Sequence, residues 1–300
     1  MNFQDFSTSK LGVKTTIGLA KALPPRMGYR FCNFIAGRIA TRKSMPFVQS
    51  IRLNQWVAHD KKISGPELDR AVLEVIQHST HCLYDLYHAI DSPEKITNLV
   101  TFSDRANQII SAVTTGQENS VIAGPHLSNF DLTMIALGYL GFHAQVLSYP
   151  NPTSGYKYQN SFREKSGLKL TPISISALKQ ATETLKAGGV VATGLDRPVP
   201  GIKNTTPFFG SPAYLPNAHV RLAIDCEVPV RIVVCCMTEA GNYQVDITDP
   251  ISMDVHANRS QSIQKNTEKV AALVEDFIRQ NPRQWLMYYP LWPELRPEVP

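Results

Sequence analysis

Val121-Ile-Ala-Gly-Pro-His126-Leu-Ser-Asn-Phe-Asp131-Leu-Thr-Met134 decides how this 300-residue chain is read. Its first four residues form a short apolar run closed by Gly124-Pro125, a pair that ends a strand. Ser128 and Asn129 are residue types that start helices, and a helix is expected from about there. A buried strand therefore passes into a helix through a turn that carries His126. In open α/β sheets, functional groups gather where strands end at their carboxyl edge, so this turn is the first place to look for chemistry.

The same alternation extends outward. Further β-rich runs stand at 145–148, 190–193, 228–236 and 243–248, separated mostly by helical patterns near 129–141, 174–187 and 216–226. Before them, Gly65-Pro66-Glu67 starts a helix that runs through Ala89 with Leu68, Val72, Val75 and Ile76 apolar. After them, a helix near 259–280 buries Ile263, Val270, Val274 and Phe277 and stops at Asn281-Pro282. The pattern predicts an α/β fold: a central, mostly parallel mixed sheet flanked by helices. Two parts are expected, a helical segment over 1–60 and an α/β domain over 61–300.

Charge is distributed unevenly. Residues 1–59 hold nine Lys and Arg (Lys10, Lys14, Lys21, Arg26, Arg30, Arg38, Arg42, Lys43, Arg52) against the single Asp5, within a whole-chain charge of +5. Leu11, Val13, Ile17, Leu19, Phe31, Phe34, Ile35, Ile39 and Phe47 are interleaved with them. That mixture suits helices lying on an anionic membrane surface, and it also suits a solvated helical cap on the core. No nucleic-acid motif accompanies the charge, so nucleic acid is not an expected partner. No apolar run is long enough for a spanning helix, and no signal-peptide pattern opens the chain. Five cysteines (Cys32, Cys82, Cys226, Cys235, Cys236), without CxxC spacing, fit reduced thiols, with Cys235-Cys236 packed in a strand.

His126 and Asp131 make a candidate base and orienting acid. A carboxylate in the first helical turn that reaches back to the imidazole would fix its tautomer and stabilise the imidazolium. The bland alternatives are a capping box of Ser128 with Asp131 and a hydrogen-bonded turn histidine. Backbone N–H groups near 128–130 are candidate oxyanion donors. Glu74, His78, His81, Asp85 and His88 share one helix face at spacing that zinc can use, though a polar face or a set of partners for buried groups is the commoner meaning; no metal is expected. Ser7-Thr-Ser-Lys10 matches SxxK without its companion motifs. The absence of GxSxG, P-loop, GxGxxG and HExxH patterns weighs against lipases, kinases, dehydrogenases and zinc proteases.

Four blocks, in order, resemble the lysophospholipid acyltransferase superfamily, nearest the branch of bacterial lipid A late acyltransferases and phosphatidylinositol mannoside acyltransferases. They are Pro125-His-Leu-Ser-Asn-Phe-Asp131, like the HX4D/E block; 188–197, ending in Asp196-Arg197; Pro207-Phe-Phe-Gly210 through Pro216; and Asn281-Pro-Arg-Gln-Trp285 through Trp292. The resemblance implies a glycerolipid acyltransferase-like fold, with His126 as general base, Asp131 as its orienter, and substrate-binding roles for Asn129, Arg163, Asp196, Arg197, Phe209 and Gly210. Arg163 could bind a phosphate or be a solvated helix charge. Leu127-Ser128 stands where the family usually has x-Gly, and Ser211 where a glutamate commonly follows F-F-G. The implied reaction moves a fatty acyl group from acyl carrier protein or coenzyme A to a membrane lipid or glycolipid hydroxyl. It needs no metal or redox cofactor, and the implied place is the cytoplasmic face of the inner membrane, peripherally bound. A thioesterase using the same dyad on water, or a non-catalytic member binding lipid or a partner, are the alternatives.

Overall fold

Short β-branched runs in this chain are buried on both faces, which is possible only when helices cover a sheet on each side. The computed structural model describes residues 9–198, 202 and 204–300. Seven strands form the main sheet: β1 (Val100–Phe102), β2 (Val121–Gly124), β3 (Ala144–Ser148), β4 (Lys169–Pro172), β5 (Val190–Gly194), β8 (Val230–Met237) and β9 (Tyr243–Ile247). β6 (Thr206–Phe208) and β7 (Ser211–Ala213) make a separate hairpin. Sheet order is β1-β9-β8-β2-β5-β3-β4, parallel throughout except for the antiparallel pair β8–β9. The expected mostly parallel sheet flanked by helices is what the chain forms.

The helices are α1 (Lys10–Ala22), α2 (Pro25–Ala40), α3 (Pro46–Ala58), α4 (Gly65–Ala89), α5 (Pro93–Asn98), α6 (Asp104–Thr114), α7 (Phe130–Tyr139), α8 (Ser154–Lys165), α9 (Ile175–Lys186), α10 (Ala218–Cys226) and α11 (Arg259–Gln280). Helix α4 begins with a capping box, Ser64 and Glu67 exchanging bonds with each other's backbone. Helix α11 ends at Asn281 because Pro282 follows. Strand β8 starts at Val230 rather than at 228, since Pro229 has no N–H to give the ladder. Cys235 and Cys236 lie in β8 as expected.

The division expected at residue 60 is not marked by a break in packing. Val48, Ile51, Leu53 and Val57 of α3 lie in one apolar cluster with the sheet and with Trp285 and Trp292 near the C-terminus. Asn54 reinforces this by donating to the carbonyls of Met287 (3.0 Å) and Tyr289 (2.8 Å) and accepting from the Leu291 N–H. Helices α1 and α2 together keep five large apolar side chains in solvent, Leu11, Leu19, Met27, Phe31 and Phe34, whereas α4, α9 and α11 each expose one (Leu83, Ile175 and Leu273). No helix among the described residues is long and apolar enough to cross a membrane. Ser7 of the SxxK pattern lies outside the described residues.

Candidate active site

Register places the two central side chains. Strands β2 and β5 are parallel neighbours with Gly124 opposite Gly194. Each chain then runs two residues past its glycine, so His126 and Asp196 leave the same edge of the sheet side by side. The Leu195 N–H still donates to the Gly124 carbonyl (3.3 Å), carrying the pairing one step beyond the ladder. Gly194 also keeps space for the ring: a Cβ there would stand 3.4 Å from His126 Cε1.

Asp196 is fully buried and accepts three hydrogen bonds. Its Oδ1 takes the His126 Nδ1 contact at 2.6 Å, and its Oδ2 takes the His126 backbone N–H at 2.9 Å and Trp285 Nε1–H at 2.8 Å. Burial alone would raise the carboxyl pKa. Attraction to the imidazole and these hydrogen bonds outweigh burial and hold it below the ordinary carboxylate value. With Nδ1 engaged, the other ring nitrogen, Nε2, has no hydrogen-bond partner among the described residues, and the side chain is 25% exposed. Phe130 packs edge-on against the ring at 4.8 Å.

The C-terminal segment locks this turn from behind. The Ser128 N–H donates to the Gln284 carbonyl (2.7 Å), the Leu286 N–H donates to the His126 carbonyl (2.7 Å), and Leu127 bridges Trp285 in antiparallel fashion. The Gln284 side chain in turn accepts from the Met237 N–H (2.7 Å) and donates to its carbonyl (3.1 Å), tying the segment to the end of β8.

Several expected assignments change. Asp131 does not orient the imidazole: it is the second residue of α7 and its carboxylate pairs with Arg163 of α8. The acid behind His126 is Asp196, which was expected to touch substrate. Arg163 is not a solvated charge and is not open to a phosphate. It is 3% exposed, with its guanidinium bound to Asp131 and Asn160 and lying over the Tyr156 ring at 5.2 Å. No Ser128–Asp131 capping box forms, because Asn129 is the N-cap, accepting from the Leu132 N–H at 3.3 Å. The Asn129 amide nitrogen donates to the Cys82 carbonyl (2.9 Å), so both ends of this side chain serve the fold rather than a substrate.

Phe209 and Gly210 form the two-residue turn of the β6–β7 hairpin, with φ of +50° and +67°. Phe209 is buried against Trp285, centroids 5.7 Å apart, and supports the Trp285–Asp196 contact from behind. Gly210 is exposed with open space around it. Ser211, in the position of the family's glutamate, offers its backbone carbonyl to Trp292 Nε1–H at 3.4 Å.

Arg197 does reach the site's rim. Its guanidinium is stacked between Tyr149 and Tyr289, 4.1 Å and 4.0 Å from the ring centroids, and Nη2 donates to the Tyr289 hydroxyl at 2.5 Å. On the helix face of Glu74, His78, His81, Asp85 and His88, the last four turn to separate partners: His78 meets Ser128, His81 meets Asn33, Asp85 meets Tyr29 and Tyr243, and His88 meets the Ala20 carbonyl. A cavity of about 750 Å³ beside Val228, Pro229 and His256 lies at the amino end of β8, on the edge of the sheet away from His126. Its position separates it from this chemistry.

Residues 87–294 match the bacterial lipid A biosynthesis acyltransferase family, a span of more than half the chain that contains His126, Asp196 and Trp285. The chain belongs to that family. It is an acyltransferase of the lipid A biosynthesis type, and members of this family take a lipid acceptor and an acyl thioester donor. No curated protein matches the chain. It is similar to the structure of the 1-acyl-sn-glycerophosphate (LPA) acyltransferase PlsC from Thermotoga maritima, at 16% sequence identity and a TM-score of 0.36, over 78% of this chain and 98% of that one.

Within the lipid A acyltransferase site, sequence reasoning missed Trp285 as a donor to Asp196, and Tyr149 and Tyr289 as the frame of Arg197. A usable signal existed for Asp196. Two β-runs each end in glycine with a polar residue two positions on, His126 and Asp196, and parallel pairing in register would have joined them.

Proposed function

We propose that this acyltransferase moves a fatty acyl group from an acyl thioester, on acyl carrier protein or coenzyme A, to the hydroxyl of a membrane lipid or glycolipid. The observation that supports the reading is the imidazole of His126, anchored through Nδ1 to buried Asp196 with Nε2 left open. An alcohol is a poor nucleophile until its proton is being removed, and a positioned base contributes about 10²–10⁴ in rate. The acceptor hydroxyl donates to Nε2, which takes its proton as the oxygen attacks the thioester carbonyl. Asp196 keeps the proton on Nδ1 and stabilises the imidazolium that forms. The tetrahedral intermediate then expels the thiolate, and the imidazolium returns the proton to sulfur. No acyl-enzyme and no cofactor is needed.

Oxyanion stabilisation is assigned to backbone N–H groups at the start of α7. Ser128 is removed from the expected set because its N–H is spent on the Gln284 carbonyl. Arg197, framed by two tyrosines beside Asp196, is assigned to an anionic group of the donor or acceptor, for which a planar guanidinium is suited. The exposed apolar residues of α1 and α2, set among basic ones, are assigned to the cytoplasmic surface of an anionic inner membrane, on which the protein sits peripherally.

The test is incubation with labelled acyl carrier protein or acyl-CoA and a total lipid extract. A lipid gaining label, and none gained with His126→Ala, supports transfer. Free fatty acid in place of labelled lipid indicates hydrolysis. Undiminished transfer by His126→Ala overturns the base assignment.

A further inference from the structure

Ser128, two residues beyond His126, has φ of +50°. That left-handed conformation is open to glycine and costly for residues bearing a Cβ. A serine there needs something to hold it. Its hydroxyl is fully buried and meets Nε2 of His78 at 2.9 Å, while its N–H is fixed by the Gln284 carbonyl. His78 is 6% exposed in the middle of α4, and burial lowers its pKa to about 4, so the ring is neutral at pH 7 with one donor and one acceptor nitrogen. The same helix grips the next residue, since the Cys82 carbonyl accepts from the Asn129 side chain. The turn that carries His126 is thus held on one side by 284–286 and on the other by α4.

We propose that His78 is a positioning residue for acyl transfer, its hydrogen bond with Ser128 holding the left-handed turn from which His126 is aimed at Asp196 and the acceptor. His78 touches no substrate in this account, which rests on His126 being the base. Side-chain chemistry and backbone conformation make separable contributions at residue 128. Serine and alanine carry the same backbone cost and differ by the hydroxyl, whereas alanine and glycine both lack the hydroxyl and differ in that cost.

The experiment measures kcat and KM for transfer of labelled acyl groups into a total lipid extract by the full chain. Ser128→Ala and His78→Phe, which keeps a flat aromatic ring but removes both ring nitrogens, are expected to lower kcat about 10- to 100-fold with KM within about twofold, because a small misplacement of a reacting group has effects of that size. Ser128→Gly is expected to exceed Ser128→Ala in kcat by about tenfold. In the double variant His78→Phe/Ser128→Gly, where no hydroxyl is left to satisfy and no backbone cost remains, kcat is expected to recover about tenfold over His78→Phe. Equal kcat for the alanine and glycine variants, full activity of His78→Phe, or absence of rescue in the double variant overturns the proposal. If His78→Phe does not fold, the comparison of serine with alanine at 128, which differ by the hydroxyl that His78 bonds, decides: kcat of Ser128→Ala equal to that of the unaltered chain overturns the proposal. His126→Ala is measured alongside: its inactivity with no rescue at 78 and 128 removes only the positioning role, while its full activity removes the base assignment and this proposal with it.

Discussion

Two aspartates near His126 invite confusion, and their surroundings give them different fates on substitution. Asp196→Asn places an amide where three donors converge, removing the charge that stabilises the imidazolium and favouring the wrong tautomer. The expected loss in kcat is about 10²–10⁴, by analogy with the orienting acid of a serine protease triad. Asp131→Asn instead leaves Arg163, 3% exposed, without its counter-charge. Breaking a largely buried pair costs on the order of 3 kcal/mol, so the main effect is a lower melting temperature and a smaller drop in kcat than for Asp196→Asn. Equal kcat losses with unchanged melting for both variants would refute this division. Asp196 also has a pH signature. Its folded pKa is below the unfolded value, so its contribution to stability is present above the ordinary carboxylate range and is lost as pH falls through it. Arg197→Ala, removing a cation at the rim, is expected to raise KM about tenfold while kcat changes little, as loss of uniform binding does; a fall in kcat alone would exclude that role.

At the scale of elements, two helices carry buried neutral imidazoles that make the fold sensitive to acid. His219 in α10 is 2% exposed with neither ring nitrogen hydrogen-bonded, and His78 in α4 is similarly buried; burial lowers both pKa values to about 4. The unfolded chain binds protons at these histidines from about pH 6.5 downward while the folded chain does not. Stability therefore falls as pH drops from about 6.5 to 4, by up to on the order of 3 kcal/mol per group. His219→Leu should flatten that decline without destabilising the protein at pH 7, read from urea midpoints across this range. An unchanged slope would show that His219 is hydrated rather than buried neutral. Elements of this kind were legible wherever the pattern was long: α4 and α11 by their periodicity and caps, β2 and β5 by apolar runs closed at glycine. The three- and four-residue strands β1, β4, β6 and β7 escaped notice, since so few residues show no period. His126 was legible from its turn, but its partner was not. Asp131 is five positions away in sequence and faces α8, whereas Asp196, 70 positions away, is brought over by strand register. Trp285 was legible as a motif and not as a hydrogen-bond donor, because its role depends on the C-terminal segment folding back along 126–128.

Across the whole molecule, charge and exposed apolar surface coincide at one end of the chain. Met27, Phe31 and Phe34 recur at four- and three-residue spacing along α2 and so share a face, continued one turn on by Arg38, whose guanidinium lies 5.6 Å from the Phe34 ring centroid. Met27 is 56% and Phe34 60% exposed, although the opposite face of α2, with Gly28, Cys32 and Ala36, is buried against the core. Gly28 is needed there, since a Cβ would stand 2.2 Å from the Tyr84 ring. A helix docked this closely on one side and greasy and basic on the other has two favourable contacts available at a membrane, acyl chains for the phenylalanines and anionic headgroups for the arginines. The two respond differently to salt. Raising ionic strength shortens the Debye length to about 3 Å at 1 M, which weakens the headgroup attraction and leaves apolar insertion in place. Binding to vesicles containing anionic phospholipid should therefore fall with salt without vanishing. Phe31→Glu/Phe34→Glu, losing about 1.5–3 kcal/mol of burial per ring and adding repulsion, should cut vesicle binding at least about tenfold at any salt concentration. The melting temperature should stay unchanged, because neither side chain packs in the core. Vesicle sedimentation with the wild-type chain and this double variant is the measurement; equal binding by the two would move the membrane-facing surface away from α2.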